Sequence, residues 1–214
     1  MLGFNADVWT ADSRPQRFEQ EIQRVEQRDA SHPPPARPVL FVGSSSVVKW
    51  TQLTNDFAGI PVVNHGFGGS TWQDLNHFFA RIVLPVHPRA VVVYEGDNDL
   101  AAGRSVAQCL ADFERFYQQM RTALPGVPVA VLSVKPSPSR RHLDAQQTQL
   151  NEAIRRRLAD DVHWTVLDVS SVLRDATGGP RPEFFESDRL HLNRTGYTRW
   201  LPVIRPWVER NARR

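Results

Sequence analysis

Short, almost continuously hydrophobic runs recur along the chain and alternate with segments of helical periodicity. Such runs, rich in β-branched residues, are typical of strands that helices cover on both faces. The pattern predicts five strands, over residues 39–42, 61–63, 90–94, 127–134 and 162–169. Strands and helices that alternate in this way predict the α/β class, a three-layer α/β/α sandwich around a five-stranded parallel sheet.

The clearest helical pattern covers residues 105–124, where Phe113 and Phe116 share one apolar face with several neighbours. Further helices are predicted over residues 46–55, 70–80, 143–160 and 195–209. The last of these contains Pro202 and Pro206. Because proline lacks the backbone N–H of a helical hydrogen bond, we expect this helix to be kinked or broken.

A helix is also predicted ahead of the first strand, over residues 13–30, with Ser13 as its N-cap and Pro15 near its first turn. The stretch "SHPPPARP" that follows cannot continue a helix. We therefore divide the chain into an N-terminal helix and proline-rich connector, residues 1–37, packed on residues 38–214. At 214 residues we expect a single domain overall.

Composition excludes several classes of protein. The chain is 41% hydrophobic and 23% charged, which is typical of a globular protein. Its net charge of +3 comes from arginines scattered among acidic residues, so we expect no nucleic-acid partner. The single cysteine cannot form an internal disulfide, and no apolar run approaches the ~20 residues of a membrane span. The N-terminus lacks the pattern of a secretory signal, and we expect a cytoplasmic location.

Polar, glycine-rich blocks follow four of the predicted strands. They are "GSSS" at 43–46, "NHGFGGST" at 64–71, "EGDNDL" at 95–100 and "ESDRLHLNRTGY" at 186–197. In parallel sheets, ligands bind beyond the carboxyl ends of the strands. The four blocks are therefore predicted to converge on one site.

The last block contains Asp188 and His191, three residues apart, which one helical turn or a tight loop would bring to the same side. A carboxylate that accepts the proton of one ring nitrogen leaves the other nitrogen free as a base, and a serine nucleophile needs such a base. The pair alone is a weak signal, because His191 could instead cap or pack against the last helix. Chemistry alone does not choose among Ser44, Ser45 and Ser46 as the nucleophile.

Donors for a carbonyl oxygen are also available. Gly69 lies in a turn whose backbone can approach a ligand closely, and Asn98 has a side-chain N–H. The structural alternatives are that Ser70 or Thr71 caps a helix and that "GDNDL" is a polar turn. The aspartates of "GDNDL" could suggest a cation site, but no further carboxylates follow at calcium-loop spacing. We expect neither a metal nor a cofactor.

In this order, the four blocks resemble the SGNH hydrolases, also called GDSL esterases or lipases, from Val39 to the last helix. The resemblance is closest to the bacterial branch that carries GSSS at its first block. It implies the flavodoxin-like SGNH fold and a serine esterase that acts through an acyl-enzyme. Ser44 stands where the wider family has an aspartate, which is not the acid of the triad. An α/β-hydrolase is excluded, since Val47 replaces the second glycine of Gly-x-Ser-x-Gly.

The resemblance also assigns roles to individual residues. It implies that Ser45 is the nucleophile, His191 the base and Asp188 the acid that orients it. The N–H groups of Ser45 and Gly69 and the side chain of Asn98 would form the oxyanion hole.

Two stretches near these blocks offer candidate substrate contacts. Lys135 and Arg140 lie in "VKPSPSRRH", after the fourth strand, although a solvated, proline-kinked loop is the alternative reading. Phe184 and Phe185 lie just before the acid and base, where they either wall an acyl pocket or anchor the loop in the core.

No long apolar lid segment is visible, so we expect a small-molecule ester with a short acyl chain, such as an acetyl ester. One alternative is a non-catalytic ligand- or nucleotide-binding module, because "GFGGST" could cradle a phosphate at a helix N-terminus. Against this, the chain has neither G-x-G-x-x-G nor a P-loop lysine. An acyltransferase or thioesterase could use the same residues. The oligomeric state stays open, with a homodimer as one option.

Overall fold

The computed structural model describes residues 15–213, and a parallel five-stranded β-sheet forms its centre. The strands are β1 (Val39–Gly43), β2 (Val62–Gly66), β3 (Ala90–Tyr94), β4 (Val129–Leu132) and β5 (Trp164–Leu167). Their order in the sheet is β2-β1-β3-β4-β5, and all four neighbouring pairs are parallel. The predicted α/β class and five-stranded parallel sheet are therefore confirmed, and β1 lies between β2 and β3.

Eight α-helices connect and flank the strands in the described part of the chain. They are α1 (Glu19–Ser31), α2 (Ser45–Val48), α3 (Leu53–Asp56), α4 (Trp72–Ile82), α5 (Asp97–Ala101), α6 (Val106–Ala123), α7 (Asp144–Arg157) and α8 (Arg194–Ala212). Buried residues of α1, α4, α6 and α7 form one hydrophobic core on one face of the sheet. Residues of α2, α3 and α8 form a second core on the other face.

Side-chain alternation along β1 explains why the strands read as continuous hydrophobic runs. Leu40 and Val42 belong to the first core, whereas Val39 and Phe41 belong to the second. Successive side chains of a strand point to opposite faces, so both faces must be apolar when both are covered.

Strand β2 continues beyond the predicted residues 61–63, through two polar residues. The Nδ2 of Asn64 donates to the Val47 carbonyl oxygen at 2.7 Å, and the Nδ1 of buried His65 donates to the Ile82 carbonyl oxygen at 2.7 Å. The Nε2 of His65 also lies 2.9 Å from the Asp29 carboxylate. Because these polar side chains have partners, the strand can extend where hydrophobicity has already ended.

Other boundaries also differ from the prediction. The strands predicted over 127–134 and 162–169 are shorter at both ends, and Val162 is 90% exposed. The helix predicted over 46–55 is two short helices, α2 and α3. Part of "GDNDL", for which a polar turn was the alternative, forms the short helix α5.

Of the predicted kink or break in the last helix, the break is wrong, because α8 runs unbroken from Arg194 to Ala212. Pro202 and Pro206 both lie on its exposed side, where water can hydrate the carbonyl groups that lose a partner. On the opposite side Trp200 and Ile204 are fully buried. Tertiary packing therefore stabilises a helix that its propensity disfavours.

The N-terminal helix packs on the first face of the sheet. Ile22 is fully buried there, and Arg81 of α4 pairs with Glu19 at 2.8 Å and with Glu26 at 2.7 Å. The predicted N-cap, Ser13, lies outside the described residues. The division into residues 1–37 and a single domain overall stays a prediction.

Between residues 15 and 213, no helix is both long and apolar enough to cross a membrane. The free cysteine, Cys109, is fully buried on α6, and burial raises the pKa of its thiol.

Candidate active site

The predicted acid and base meet in a tight loop rather than a helical turn. The Nδ1 of His191 lies 2.6 Å from the Oδ2 of Asp188. The other carboxylate oxygen accepts the backbone N–H groups of Leu190, at 2.9 Å, and of His191, at 3.0 Å. Arg189, between them, has φ of +59°, a left-handed conformation that reverses the chain within this loop.

The electrostatics of this pair define the tautomer of the imidazole. Burial by itself raises the pKa of Asp188, but hydrogen bonds from the His191 ring and from the two backbone N–H groups lower it far below its ordinary value. An ionised carboxylate can only accept, so Nδ1 carries the proton and Nε2 is left with a free lone pair.

Asn193 fixes the loop to the beginning of α8. Its Oδ1 caps the helix by accepting the N–H of Gly196 at 3.0 Å. Its Nδ2 donates to the carbonyl oxygens of Glu183, at 2.9 Å, and Phe185, at 3.1 Å. One side chain thus holds the segment before Asp188 to the helix after His191.

The loop and α8 are also joined to the segments at the ends of β1 and β4. Tyr197 of α8 donates its hydroxyl to the Ser46 carbonyl oxygen at 3.1 Å and stacks on Trp50 with ring centroids 5.0 Å apart. The backbone N–H of Ser139 donates to the carbonyl oxygen of Arg189 at 3.1 Å. These contacts hold the acid and base at the edge of the sheet where the "GSSS" block lies.

Within the serine triplet, solvent access differs sharply. Ser44 and Ser46 are buried, at 1% and 2% exposure, whereas Ser45 is half-buried and begins α2. The turn before it requires glycine, because Gly43 has φ of +127° and a Cβ there would lie 2.1 Å from the carbonyl oxygen of Tyr94. In the described part of the chain, neither the hydroxyl nor the backbone N–H of Ser45 donates a hydrogen bond.

The glycine turn after β2 is held from the N-terminal side. Gly69 has φ of +85°, and its carbonyl oxygen accepts from Arg17 at 3.2 Å. The preceding N–H, of Gly68, donates to the Glu21 carboxylate at 3.0 Å. The N–H of Gly69 has no acceptor among residues 15–213, so it is available to a ligand. Of Ser70 and Thr71, which the structural alternative offered as caps, Thr71 caps α4.

The amide of Asn98 is held at both ends. Its Nδ2 donates to the Ser70 carbonyl oxygen at 2.9 Å, and its Oδ1 accepts from Nη2 of Arg140 at 3.0 Å. Arg140 is in turn paired with Asp97 at 2.8 Å. Asn98 itself is half-buried. One of its two amide protons stays available.

Near this amide lie two buried carboxyl groups, Glu95, which was not predicted, and Asp99, which was considered only as a cation ligand. Ser70 donates its hydroxyl to fully buried Glu95 at 2.5 Å, and burial, together with the nearby Asp99, raises the pKa of Glu95 well above its ordinary value. Burial also raises the pKa of Asp99 to about 7, although its carboxylate accepts the N–H of Trp72 at 3.1 Å. The signal was present in "VVVYEGDND", where an acid directly ends a fully buried strand.

The structure argues against the substrate contact predicted for Lys135. Its side chain is 1% exposed, and its ammonium lies 3.2 Å from the Asp97 carboxylate. Burial raises the pKa of Asp97, but Lys135 and Arg140 hold it below its ordinary value. The charge of Asp97 is therefore balanced by these two cations. Among residues 15–213, no cluster of acidic, histidine or cysteine side chains could hold a metal ion.

Phe184 and Phe185 anchor the loop instead of lining a pocket. They are 4% and 5% exposed and belong to the second core. The guanidinium groups of Arg181 and Arg199 lie over the Phe184 ring, 4.6 Å and 5.7 Å from its centroid. Of the two alternatives, this burial favours the structural one.

Two cavities flank α2. One, of about 550 Å³, lies toward α1 and is lined by side chains that include Glu21, Arg24 and Val48, as well as Gly68. The other, of about 460 Å³, lies toward α8 and is lined by residues that include Lys49, Gln52, Glu186 and Arg194. Both have several polar or charged side chains on their walls.

Residues 33–199 match the GDSL-like lipase/acylhydrolase family. No curated protein sequence matches the chain significantly. Among solved structures, a protein from Streptococcus pneumonia superposes with a TM-score of 0.78 and 21% identity, over 90% of this chain and 94% of that one. A GDSL-like lipase from Bacteroides thetaiotaomicron VPI-5482 has a TM-score of 0.74 and 17% identity, over 88% and 97% of the two chains. A carbohydrate esterase family 3 protein from Talaromyces cellulolyticus has a TM-score of 0.66 and 20% identity, over 82% and 98%.

Proposed function

The chain belongs to the GDSL-like lipase/acylhydrolase family and is an SGNH-type hydrolase of esters, and on this premise we propose that Ser45 is its nucleophile. In this proposal His191 is the general base, and Asp188 orients it. The substrate is a carboxylic ester with a short acyl chain.

One observation carries the proposal. The His191 imidazole is held by Asp188 at 2.6 Å with its other nitrogen free, at the edge of the sheet where Ser45 is the accessible serine of its triplet. This supports Ser45 over its two buried neighbours, which residue chemistry alone did not separate. A base oriented by a third group is the arrangement that activates a serine hydroxyl.

In this proposal, acylation uses these groups as follows. The Nε2 of His191 takes the hydroxyl proton as Oγ of Ser45 forms a bond to the carbonyl carbon, and the carbonyl oxygen becomes negative. The N–H groups of Ser45 and Gly69, which have no acceptor among the described residues, and the free amide proton of Asn98 meet this charge. His191 then gives its proton to the alcohol as the ester bond breaks.

Deacylation repeats the same proton transfers with water. His191 removes a proton from a water molecule, whose oxygen attacks the acyl carbon of the ester on Ser45. The tetrahedral intermediate collapses, its bond to Oγ breaks, and His191 returns the proton to the serine. Asp188 stabilises the imidazolium that forms in each half of the cycle.

The proposed substrate is an acetyl or other short-chain ester of a polar alcohol, such as a carbohydrate. The likeness to a carbohydrate esterase supports the same class of substrate.

A fluorophosphonate probe and a series of nitrophenyl esters test the proposal. We expect the probe to label wild type on the peptide that contains Ser45, and we expect hydrolysis to be faster for acetate than for octanoate. Ser45→Ala and His191→Ala should abolish measurable turnover, with losses on the order of 10⁴-fold or more. Ser44→Ala, one residue away, should still be labelled.

Labelling that survives in Ser45→Ala, or that maps to Ser44 or Ser46, contradicts the assignment of the nucleophile. A preference for octanoate contradicts the short-chain substrate but leaves the nucleophile unaffected.

A further inference from the structure

Arg140 forms the outer end of a chain of polar contacts that leads to the proposed oxyanion hole. Its guanidinium spans two acceptors, the Asp97 carboxylate at 2.8 Å and the Asn98 amide oxygen at 3.0 Å. Its side chain is only 17% exposed. Arginine presents fixed, forked donors, so one side chain can hold both acceptors at once.

These contacts settle which way the Asn98 amide faces. A guanidinium has donors only, so the amide atom beside it is the oxygen. A backbone carbonyl has acceptors only, so the atom 2.9 Å from the Ser70 oxygen is the amide nitrogen. The rotamer of Asn98 is therefore defined from both sides, and its remaining N–H has one direction in which to point.

A charged donor on the amide oxygen also strengthens the opposite end of the amide. A hydrogen bond from a cation draws electron density toward the oxygen and makes the N–H a better donor. Asp97 is neutralised in part by Lys135 at 3.2 Å, so Arg140 keeps positive charge beside Asn98.

The segment that carries Arg140 is itself fixed to the acid–base loop. Ser139 donates its N–H to the Arg189 carbonyl oxygen at 3.1 Å, and Arg140 donates its own N–H to the Ser137 carbonyl oxygen at 3.1 Å. The two halves of the proposed site are thus connected through residues 137–140.

We propose that Arg140 is a positioning residue, which orients and polarises the Asn98 amide for the transition state and makes no contact with the substrate. This inference rests on the proposed function and replaces the substrate contact that the sequence suggested for Arg140. An interaction realised only in the transition state changes kcat and leaves KM unaltered.

Steady-state kinetics on nitrophenyl acetate test the proposal with three variants. Arg140→Met should lower kcat by roughly 10- to 100-fold, with KM within about twofold of wild type. Arg140→Lys should retain part of the activity, because an ammonium supplies the positive charge but cannot hold both acceptors as the guanidinium does. Arg141→Met is the matched control, since it removes the same charge from an exposed neighbour and should leave kcat unchanged.

A double-mutant cycle separates action through Asn98 from direct action on the substrate. Asn98→Ala alone should lower kcat by about 10²- to 10³-fold. If Arg140 works through the amide, then adding Arg140→Met to Asn98→Ala should change kcat by less than about twofold. Thermal melting of each variant shows whether activity is lost through unfolding. If Arg140→Met is unfolded, Arg140→Lys takes its place in the cycle.

Three results overturn the inference: an unchanged kcat in Arg140→Met, an effect confined to KM, or the full effect of Arg140→Met repeated in the Asn98→Ala background. Failure of the proposed function is distinguishable, because wild type would then neither react with the fluorophosphonate nor depend on Ser45. An active, Ser45-dependent wild type with an unaffected Arg140→Met contradicts this inference alone.

Discussion

Asp188 decides which ring nitrogen of His191 carries a proton. It accepts from the imidazole and from two backbone N–H groups, and these bonds outweigh its burial and lower the pKa of its carboxyl far below the ordinary value. The carboxylate is therefore ionised throughout the neutral range. The hydrogen bonds that keep Asp188 ionised all lie within residues 188–191, so this part of the site is local in sequence.

Asp188→Asn should lower kcat on nitrophenyl acetate by about 10²- to 10⁴-fold with little change in KM. An asparagine amide can turn its NH₂ toward Nδ1 and favour the tautomer in which Nε2 carries the proton and cannot act as a base. Asp160→Asn is the control, since it makes the same exchange at an exposed position. Activity within about threefold of wild type in Asp188→Asn would remove Asp188 from the proposed mechanism.

At the scale of elements, the stretch from the end of β3 into α5 concentrates buried carboxyl groups in different states. Asp97 is held ionised by two cations, whereas burial raises the pKa of Glu95 and Asp99. Glu95 supports Ser70, whose carbonyl oxygen holds Asn98. Because its pKa is raised, Glu95 stays neutral to a higher pH, and while neutral it contributes a hydrogen-bond partner without adding negative charge where the oxyanion would form.

The contribution of Glu95 and Asp99 to the stability of the protein should consequently fall as the pH rises. A raised folded-state pKa contributes stability that is fully present below the unfolded pKa, 4.5 for Glu95 and 3.8 for Asp99. That stability is lost as the pH rises through the folded pKa, which is about 7 for Asp99 and well above 4.5 for Glu95. Glu95→Gln cannot ionise and should flatten this loss, as measured by urea unfolding at roughly pH 6 and pH 9.

Glu95→Ala provides the contrast to this isosteric change. It leaves the Ser70 hydroxyl without its acceptor and opens a void, so the free energy of unfolding should fall by about 1–3 kcal/mol at both pH values. A Glu95→Gln variant whose stability changes between the two pH values as much as that of wild type contradicts the raised pKa of Glu95.

At the scale of the whole molecule, the N-terminal helix α1 completes one face of the sandwich and contacts the site. Ile22 is fully buried in the first core, and Arg81 holds α1 to α4 through Glu19 and Glu26. Glu21 accepts the N–H of Gly68, next to a proposed oxyanion donor. Together these contacts make α1 part of the layer that carries the glycine turn.

Ile22→Ala should lower the free energy of unfolding by about 2–4 kcal/mol, because it creates a cavity in the first core, where Ile22 is fully buried. Gln27→Ala, on the exposed side of the same helix, should change it by less than about 0.5 kcal/mol. Urea unfolding followed by tryptophan fluorescence and by circular dichroism measures both. If Ile22→Ala left the main transition where it is in wild type, then α1 would lie outside the cooperative unit, against a single domain.

The amino-acid sequence by itself determined the order of the strands along the chain, the parallel sheet and the four polar blocks at its carboxyl edge. Hydrophobic runs report burial directly, and parallel strands oblige the segments that follow them to meet at one edge. The Asp188–His191 pair was also predictable, since three residues of spacing permit only local geometries.

Only the tertiary structure decided the exposure of each serine, the partners of Arg140 and the burial of Lys135, Phe184 and Phe185. It also decided that α8 continues through its prolines and that β2 extends through two polar residues. All of these depend on contacts between segments far apart in sequence, such as residues 98 and 140, and on how much water reaches a side chain. The local pattern from which strands and helices are predicted contains neither these long-range contacts nor the access of water to each side chain.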